Sequence, residues 1–403
     1  MKIVTTGFAL ALTLSAFAAK AANQEIRAMF QPDPAQPSKN LFVNQTPNSG
    51  YCVNFPAQCA ANNMFSIELP TRYSSTRALG PGDDVSLRAP AGWRQLTVTN
   101  VDTQETEVVE VRVTGLGSRF VLSDSVETLT GVAAPTGHDI LWTSNSGWLY
   151  APAPCLGSGL AGYSPTTYRF FWHTPVEAAC TKTAAFAIPS MYYDKIDFAY
   201  ELKTPNPLSM TSGLYTGSLN YIMGPGGDFD MGAAFQPDDS SLTLDFVLDV
   251  QHTLKVDLPP GGNNVTLEPE GGWAPWINSG RKPTRIFRDQ PFHISASSRF
   301  KVLLLCHSTG GYNCKLGSPK GNTTEFQVYL TLPPGITFSG HNVTRMPLRI
   351  NNWAGPFQPG LYIDRKPGAI HFDMTPFAIN FLLRPGVTDR LRGNVTVIWD
   401  SEA

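Results

Sequence analysis

Leu391-Arg392-Gly393-Asn394-Val395-Thr396-Val397-Ile398-Trp399-Asp400 stands at the end of the chain, and a strand built from it places Val395, Val397 and Trp399 on one face. Gly393 precedes the alternation, and a second alternation of Phe377, Ile379, Phe381 and Leu383 leads into Arg384-Pro385-Gly386 before it. The same period recurs upstream in Leu96-Thr97-Val98-Thr99-Asn100-Val101, in Val108-Val109-Glu110-Val111-Arg112-Val113 and in Phe326-Gln327-Val328-Tyr329-Leu330-Thr331-Leu332. Alternation over a few residues is the mark of half-buried strands, and no helical periodicity of comparable length competes with it beyond the N-terminus. Gly80-Pro81-Gly82, Gly224-Pro225-Gly226-Gly227, Pro259-Pro260-Gly261-Gly262 and Pro333-Pro334-Gly335 break the strands as turns. The expectation is an all-β chain of sandwich type.

Working back to the N-terminus, Lys2, the apolar run Phe8 to Phe17 and the small residues around Ala19-Lys20-Ala21 form the three-part layout of a secretory signal peptide over residues 1–21. No later run approaches the roughly 18 to 20 apolar residues that a spanning helix needs. The remainder, about 380 residues, is more than one hydrophobic core usually covers, so two domains are expected. The polar stretch Gln236-Pro237-Asp238-Asp239-Ser240-Ser241 ahead of Leu242-Thr243-Leu244-Asp245-Phe246-Val247-Leu248 marks the boundary, giving domains 22–238 and 239–403.

A formal net charge of -2 with 15% charged residues lacks the basic footprint of a nucleic-acid binder. Six cysteines in an exported chain point to disulfides, and among the fifteen possible connectivities their order favours Cys52 with Cys59, Cys155 with Cys180 and Cys306 with Cys314. Spacings of C-x6-C, C-x24-C and C-x7-C do not suit a metal site, and no cofactor is expected. The five Asn-x-Thr tripeptides, at Asn44, Asn264, Asn322, Asn342 and Asn394, are read as chance products of Thr-rich strands beside Asn-rich turns.

The terminal strand, with its glycine just ahead of alternating apolar residues, resembles the last strand of chaperone-usher pilus subunits. That resemblance covers the C-terminal 160 residues in outline, and it implies an incomplete immunoglobulin-like pilin domain lacking its last strand. It implies further that Val395, Val397 and Trp399 border a donor-strand groove, filled first by a periplasmic chaperone and then by an adjacent pilus subunit after passage through an outer-membrane usher. A large β domain placed ahead of a pilin domain resembles two-domain fimbrial tip adhesins, exported through the periplasm to the fimbrium tip at the cell surface. The N-terminal domain is then expected to bind a host glycan or protein receptor.

Within that domain, His138-Asp139-Ile140-Leu141-Trp142-Thr143-Ser144-Asn145-Ser146-Gly147-Trp148-Leu149-Tyr150 supplies aromatic rings beside short polar groups, the pairing a sugar needs. Trp142, Asn145, Trp148 and Tyr150 are the candidate ligand-binding residues. The alternative is that both tryptophans are core residues of adjacent strands and the polar run is a hairpin loop. Arg72-Tyr73-Ser74-Ser75-Thr76-Arg77 is a second polar and aromatic loop, and Asp228-Phe229-Asp230 a third, read as solvated carboxylates because the calcium-loop pattern fails at Ala233 and Asp239. No G-x-S-x-G, H-E-x-x-H or P-loop pattern occurs, so no catalytic residue is assigned. Two readings stay beside the adhesin: an adaptor or assembly initiator that binds no receptor, and a carbohydrate hydrolase using acids such as Asp83, Asp84 or Asp139.

Overall fold

A computed structural model describes residues 22–62 and 64–401, so the leader expected over residues 1–21 lies outside the described residues. In it the Ser241–Val250 segment is a strand with every second residue buried: Leu242, Leu244, Phe246, Leu248 and Val250. It pairs antiparallel with Gly213–Ile222 and, on its other edge, parallel with Ala22–Phe30. All five side chains join the first hydrophobic core. Five such burials contribute on the order of 10 kcal/mol, comparable with the net stability of a whole domain. The boundary read at residues 238 and 239 is therefore corrected. The polar stretch is the end of the Phe235–Pro237 strand and the bend after it, inside the first unit, and the chain crosses to the second at Gln251-His252-Thr253, the second core beginning to be covered at Leu254.

That crossing is clamped by side chains. The His252 imidazole meets Ser297 Oγ at 3.0 Å through Nδ1 and the Met210 carbonyl at 2.9 Å through Nε2, while Thr253 N donates to the same Ser297 Oγ at 2.8 Å. Burial lowers the His252 pKa, which favours the neutral ring that these contacts use.

In the first unit one hydrogen-bonded sheet curls over itself to make both layers. Its path runs Phe235–Pro237, Tyr73–Ser75, Met191–Lys203, Thr106–Leu122, Arg94–Asn100, Gly213–Ile222, Ser241–Val250, Ala22–Phe30, Val43–Asn44. Thr106–Leu122 is the long member: its first half pairs with Arg94–Asn100 and its second half with Thr167–His173. Gly115 and Gly117 sit in that second half because the Phe171 ring and the Phe170 carbonyl come so close that a Cβ would lie 2.4 and 2.5 Å from them. Two short helices, Tyr51–Asn54 and Pro56–Ala61, are tied by the Cys52–Cys59 disulfide and cover Phe171 and Ala199.

The second unit is a sandwich of two sheets. One is centred on Ile286–Ala296 and Ile363–Met374; the other carries Phe300–Cys306 between Trp353–Pro359 and Val395–Ser401. Their inner faces meet in a separate core that includes Ile294, Phe300, Val302, Val328, Phe357 and Ile370. The alternation at Phe377, Ile379, Phe381 and Leu383 is not a strand: Pro376–Leu382 is a helix, with Thr375 Oγ1 accepting from Ala378 N at 3.2 Å and Pro376 in its first turn. A Thr-Pro start supplies cap and φ together, and over seven residues these outweigh an apolar period of two. The disulfides join Cys52 with Cys59, Cys155 with Cys180 and Cys306 with Cys314.

Candidate functional site

Trp142 and Trp148 are both fully buried. They pack edge to face with centroids 5.2 Å apart, Trp148 stacks on Trp172 at 4.9 Å, and Phe120 touches both. The Trp172 indole N–H donates to the Trp148 carbonyl at 2.7 Å. These tryptophans are core residues, and the binding role expected of them is withdrawn: a ring with no exposed face cannot carry a sugar. The polar run between them is held from beneath by Lys182, whose Nζ donates to Ser146 O, Ser146 Oγ and Gly147 O at 3.0, 2.9 and 3.1 Å. Burial lowers the Lys182 amine to about 8. Of the candidates only Asn145 and Tyr150 reach the surface.

The other sequence candidates are used structurally. The Arg72 guanidinium lies 3.6 Å from the centre of the Tyr192 ring, and Tyr73 is buried. Asp228 accepts from Arg94 at 2.5 Å and from Ile222 N at 2.7 Å, and Asp230 accepts from Gly226 N and Gly232 N, each at 2.8 Å. Arg77 and the Gly80 N–H hold the Asp83 carboxyl down to about 2, the setting of an ionised ion-pair partner rather than a proton donor. Asp84 accepts from the Thr183 hydroxyl at 2.6 Å.

Aromatic and polar side chains do converge elsewhere on the first unit. A cleft of about 600 Å³ lies beside the segment that follows the disulfide-tied helices, lined by Phe42, Phe65, Thr114, His173, Tyr200 and Thr204 among others. Its floor comes from adjacent strands, with His173 opposite Gly115 and Ala199 opposite the same glycine on the other side. A register shift between Ala199 and Tyr200 re-aims the Tyr200 ring. That ring meets Phe65 edge to face at 4.7 Å, and its hydroxyl bonds Thr46 Oγ1 at 3.0 Å and Asn44 Oδ1 at 3.1 Å. Burial raises Tyr200 to about 12 and lowers His173. No local sequence signal marks this cleft, because its walls come from separate segments between Ala28 and Thr204 that only the fold brings together.

In the second unit Val395–Ser401 pairs antiparallel with Phe300–Cys306, from Phe300 opposite Ser401 to Cys306 opposite Val395. Its other edge has no partner strand among the described residues. Val395, Val397 and Trp399 turn inward and are partly buried against the second core, the Trp399 ring 5.1 Å from Phe292 and 5.9 Å from Phe300. Leu254–Asp257, at the edge of the opposite sheet and paired among the described residues only with Ile286–Ala296, lies beside it with Leu254 and Val256 also partly buried. Gly393 marks the start of the strand by close approach: a Cβ there would lie 2.8 Å from the Lys315 carbonyl.

No family model and no curated relative matches the chain. Among solved structures it is similar to CfaE, the adhesive subunit of the CFA/I fimbria of enterotoxigenic Escherichia coli, at 10% identity over 96% of this chain and 94% of that one, with a TM-score of 0.26. A chaperone-tip adhesin complex of CFA/I fimbriae biogenesis matches at 9% identity over 95% and 97%, TM-score 0.26. The CsuC-CsuE chaperone-tip adhesion subunit complex of the archaic Csu pili of Acinetobacter baumannii matches at 10% identity over 95% and 99%, TM-score 0.23.

Proposed function

We propose that this chain is a fimbrial tip adhesin, whose first β unit binds a surface receptor and whose second unit joins the pilus by accepting a strand from a partner. The observation that carries the reading is the pair of adjacent sheet edges, Val395–Ser401 and Leu254–Asp257, with half-covered Leu254, Val256, Val395, Val397 and Trp399 between them. An open edge beside uncovered core residues invites aggregation, and an exported chain that carries one needs a strand from elsewhere. A strand inserted between these edges would satisfy both rows of backbone groups and cover the apolar strip at once, the logic of β-strand addition. The partners of this reading are a periplasmic pilus chaperone, an outer-membrane usher and an adjacent subunit; the first unit is left free for a host glycan or protein. Binding occurs without turnover.

The test is periplasmic expression of the full chain with and without a pilus chaperone. A soluble one-to-one complex with the chaperone, and aggregation or proteolysis without it, is the expected result. A stable, monodisperse chain in its absence would overturn the strand-acceptor role.

A further inference from the structure

The cleft on the first unit has a lining whose chemistry narrows its ligand. Phe42 and Phe65 present aromatic surface, while the His173 ring nitrogens and the Thr114 and Thr204 hydroxyls have no hydrogen-bond partner among the described residues. Tyr200 is buried, its ring packed on Phe65 and its hydroxyl engaged by Asn44 and Thr46, so it supports the wall rather than offering a face. Rings beside unengaged neutral donors and acceptors match a molecule with an apolar C–H face and a rim of hydroxyls.

The charges around the cleft are equally informative. Its charged side chain is Glu201, which already accepts from Arg112 Nε at 2.8 Å and Nη2 at 2.6 Å. Lys203, two residues on, pairs with Glu110 at 3.2 Å and sits 3.8 Å from the Trp93 ring centre. Burial keeps the His173 imidazole below its ordinary pKa and so neutral near pH 7. Among the described residues no lysine or arginine lines the cleft, so a carboxylate or sulfate brought into it would lose its hydration without a counter-charge from the lining.

We propose that the cleft lined by Phe42, Phe65, Thr114, His173, Tyr200 and Thr204 is the receptor subsite and takes an uncharged sugar residue, stacked on Phe42 and Phe65 and hydrogen-bonded by His173 and the two threonines. The inference rests on the adhesin reading.

The experiment presents the full exported chain to immobilised neutral galactose- and glucose-containing oligosaccharides and to their sialylated and sulfated counterparts. Retention on neutral sugars is expected, with His173→Ala and Thr204→Val each weakening it about 5- to 10-fold, the loss of one hydrogen bond, while the thermal midpoint stays unchanged. Retention on sialylated or sulfated sugars alone, or variants that bind neutral sugars as the wild type does, overturns the assignment. Retention on host cells stripped of glycans, with no sugar bound, overturns it and leaves the adhesin reading standing; failure to attach to cells or sugars removes both.

Discussion

Asp197 is 1% exposed and shows how a single carboxyl can be held against its own chemistry. Arg169 Nη2 reaches its Oδ2 at 2.6 Å and Glu68 at 3.5 Å, while Oδ1 lies under Gly50, where φ is 67° and a Cβ would stand 1.9 Å from that oxygen. Burial outweighs the attraction of Arg169 and raises Asp197 to about 7. With its folded pKa above the unfolded value near 4, the native state holds a proton that the unfolded chain has released, so stability falls as pH rises from about 4 to about 7. The thermal midpoint of the first unit should therefore be higher at pH 5 than at pH 8, and Asp197→Asn should flatten the difference. An unchanged slope in the variant would place the dependence elsewhere. Gly50→Ala, which meets both the positive φ and the carboxyl, should cost more than about 1 kcal/mol in urea unfolding. Trp399→Ala should destabilise the second unit by about 2 kcal/mol, below the 3 to 5 of a fully buried tryptophan because its ring is only partly covered; calorimetry of the full chain reads it directly.

Among the elements, the proposed function rests on the terminal strand and the disulfide-tied helices. Among the described residues the strand has one partner where an interior strand has two, which leaves its outward row of backbone groups without a ladder. Adding a short loop and an alternating Val/Thr strand after Ala403 should raise the thermal midpoint of the second unit and remove the need for a chaperone in the expression test. No change in either would argue that the strip is too well covered to accept a strand. The helices at Tyr51–Asn54 and Pro56–Ala61 hold the wall that Met64 and Phe65 give to the cleft, and the Cys52–Cys59 bond closes them over Phe171. Cys52→Ser with Cys59→Ser should speed amide exchange over residues 51–62 and leave the sheet beneath protected, since the strands pair without that bond.

For the whole molecule, the decisive contact is the parallel pairing of Ala22–Phe30 with Ser241–Val250, which closes the first unit by its two ends. A fragment of residues 22–238 would lack Leu242, Leu244, Phe246, Leu248 and Val250 and should be unfolded by circular dichroism, whereas residues 22–252 should fold cooperatively. Equal folding of both fragments would show that the strand is an accessory.

Alternation, turn residues and an even cysteine count are local properties, which is why the all-β class, the strand at Val395–Ser401 with its inward Val395, Val397 and Trp399, and the three disulfide pairs are legible in the sequence. Partnership is not local. Nothing near Ser241 says that its strand pairs backward across more than 200 residues, and nothing in the Trp142 to Tyr150 run says which side of it faces solvent. The aromatic character of that run is plain from its residues and its exposure is not, because a tryptophan beside polar residues serves a core and a binding surface equally well. Sequence alone marked the strands around residues 96–101, 108–113, 242–248, 326–332 and 395–400 and the apolar face of each, and it read alternation where Pro376–Leu382 is a helix. Tertiary structure alone decided where the first unit ends, which rings are buried and which residues line the cleft, because those depend on what each face meets.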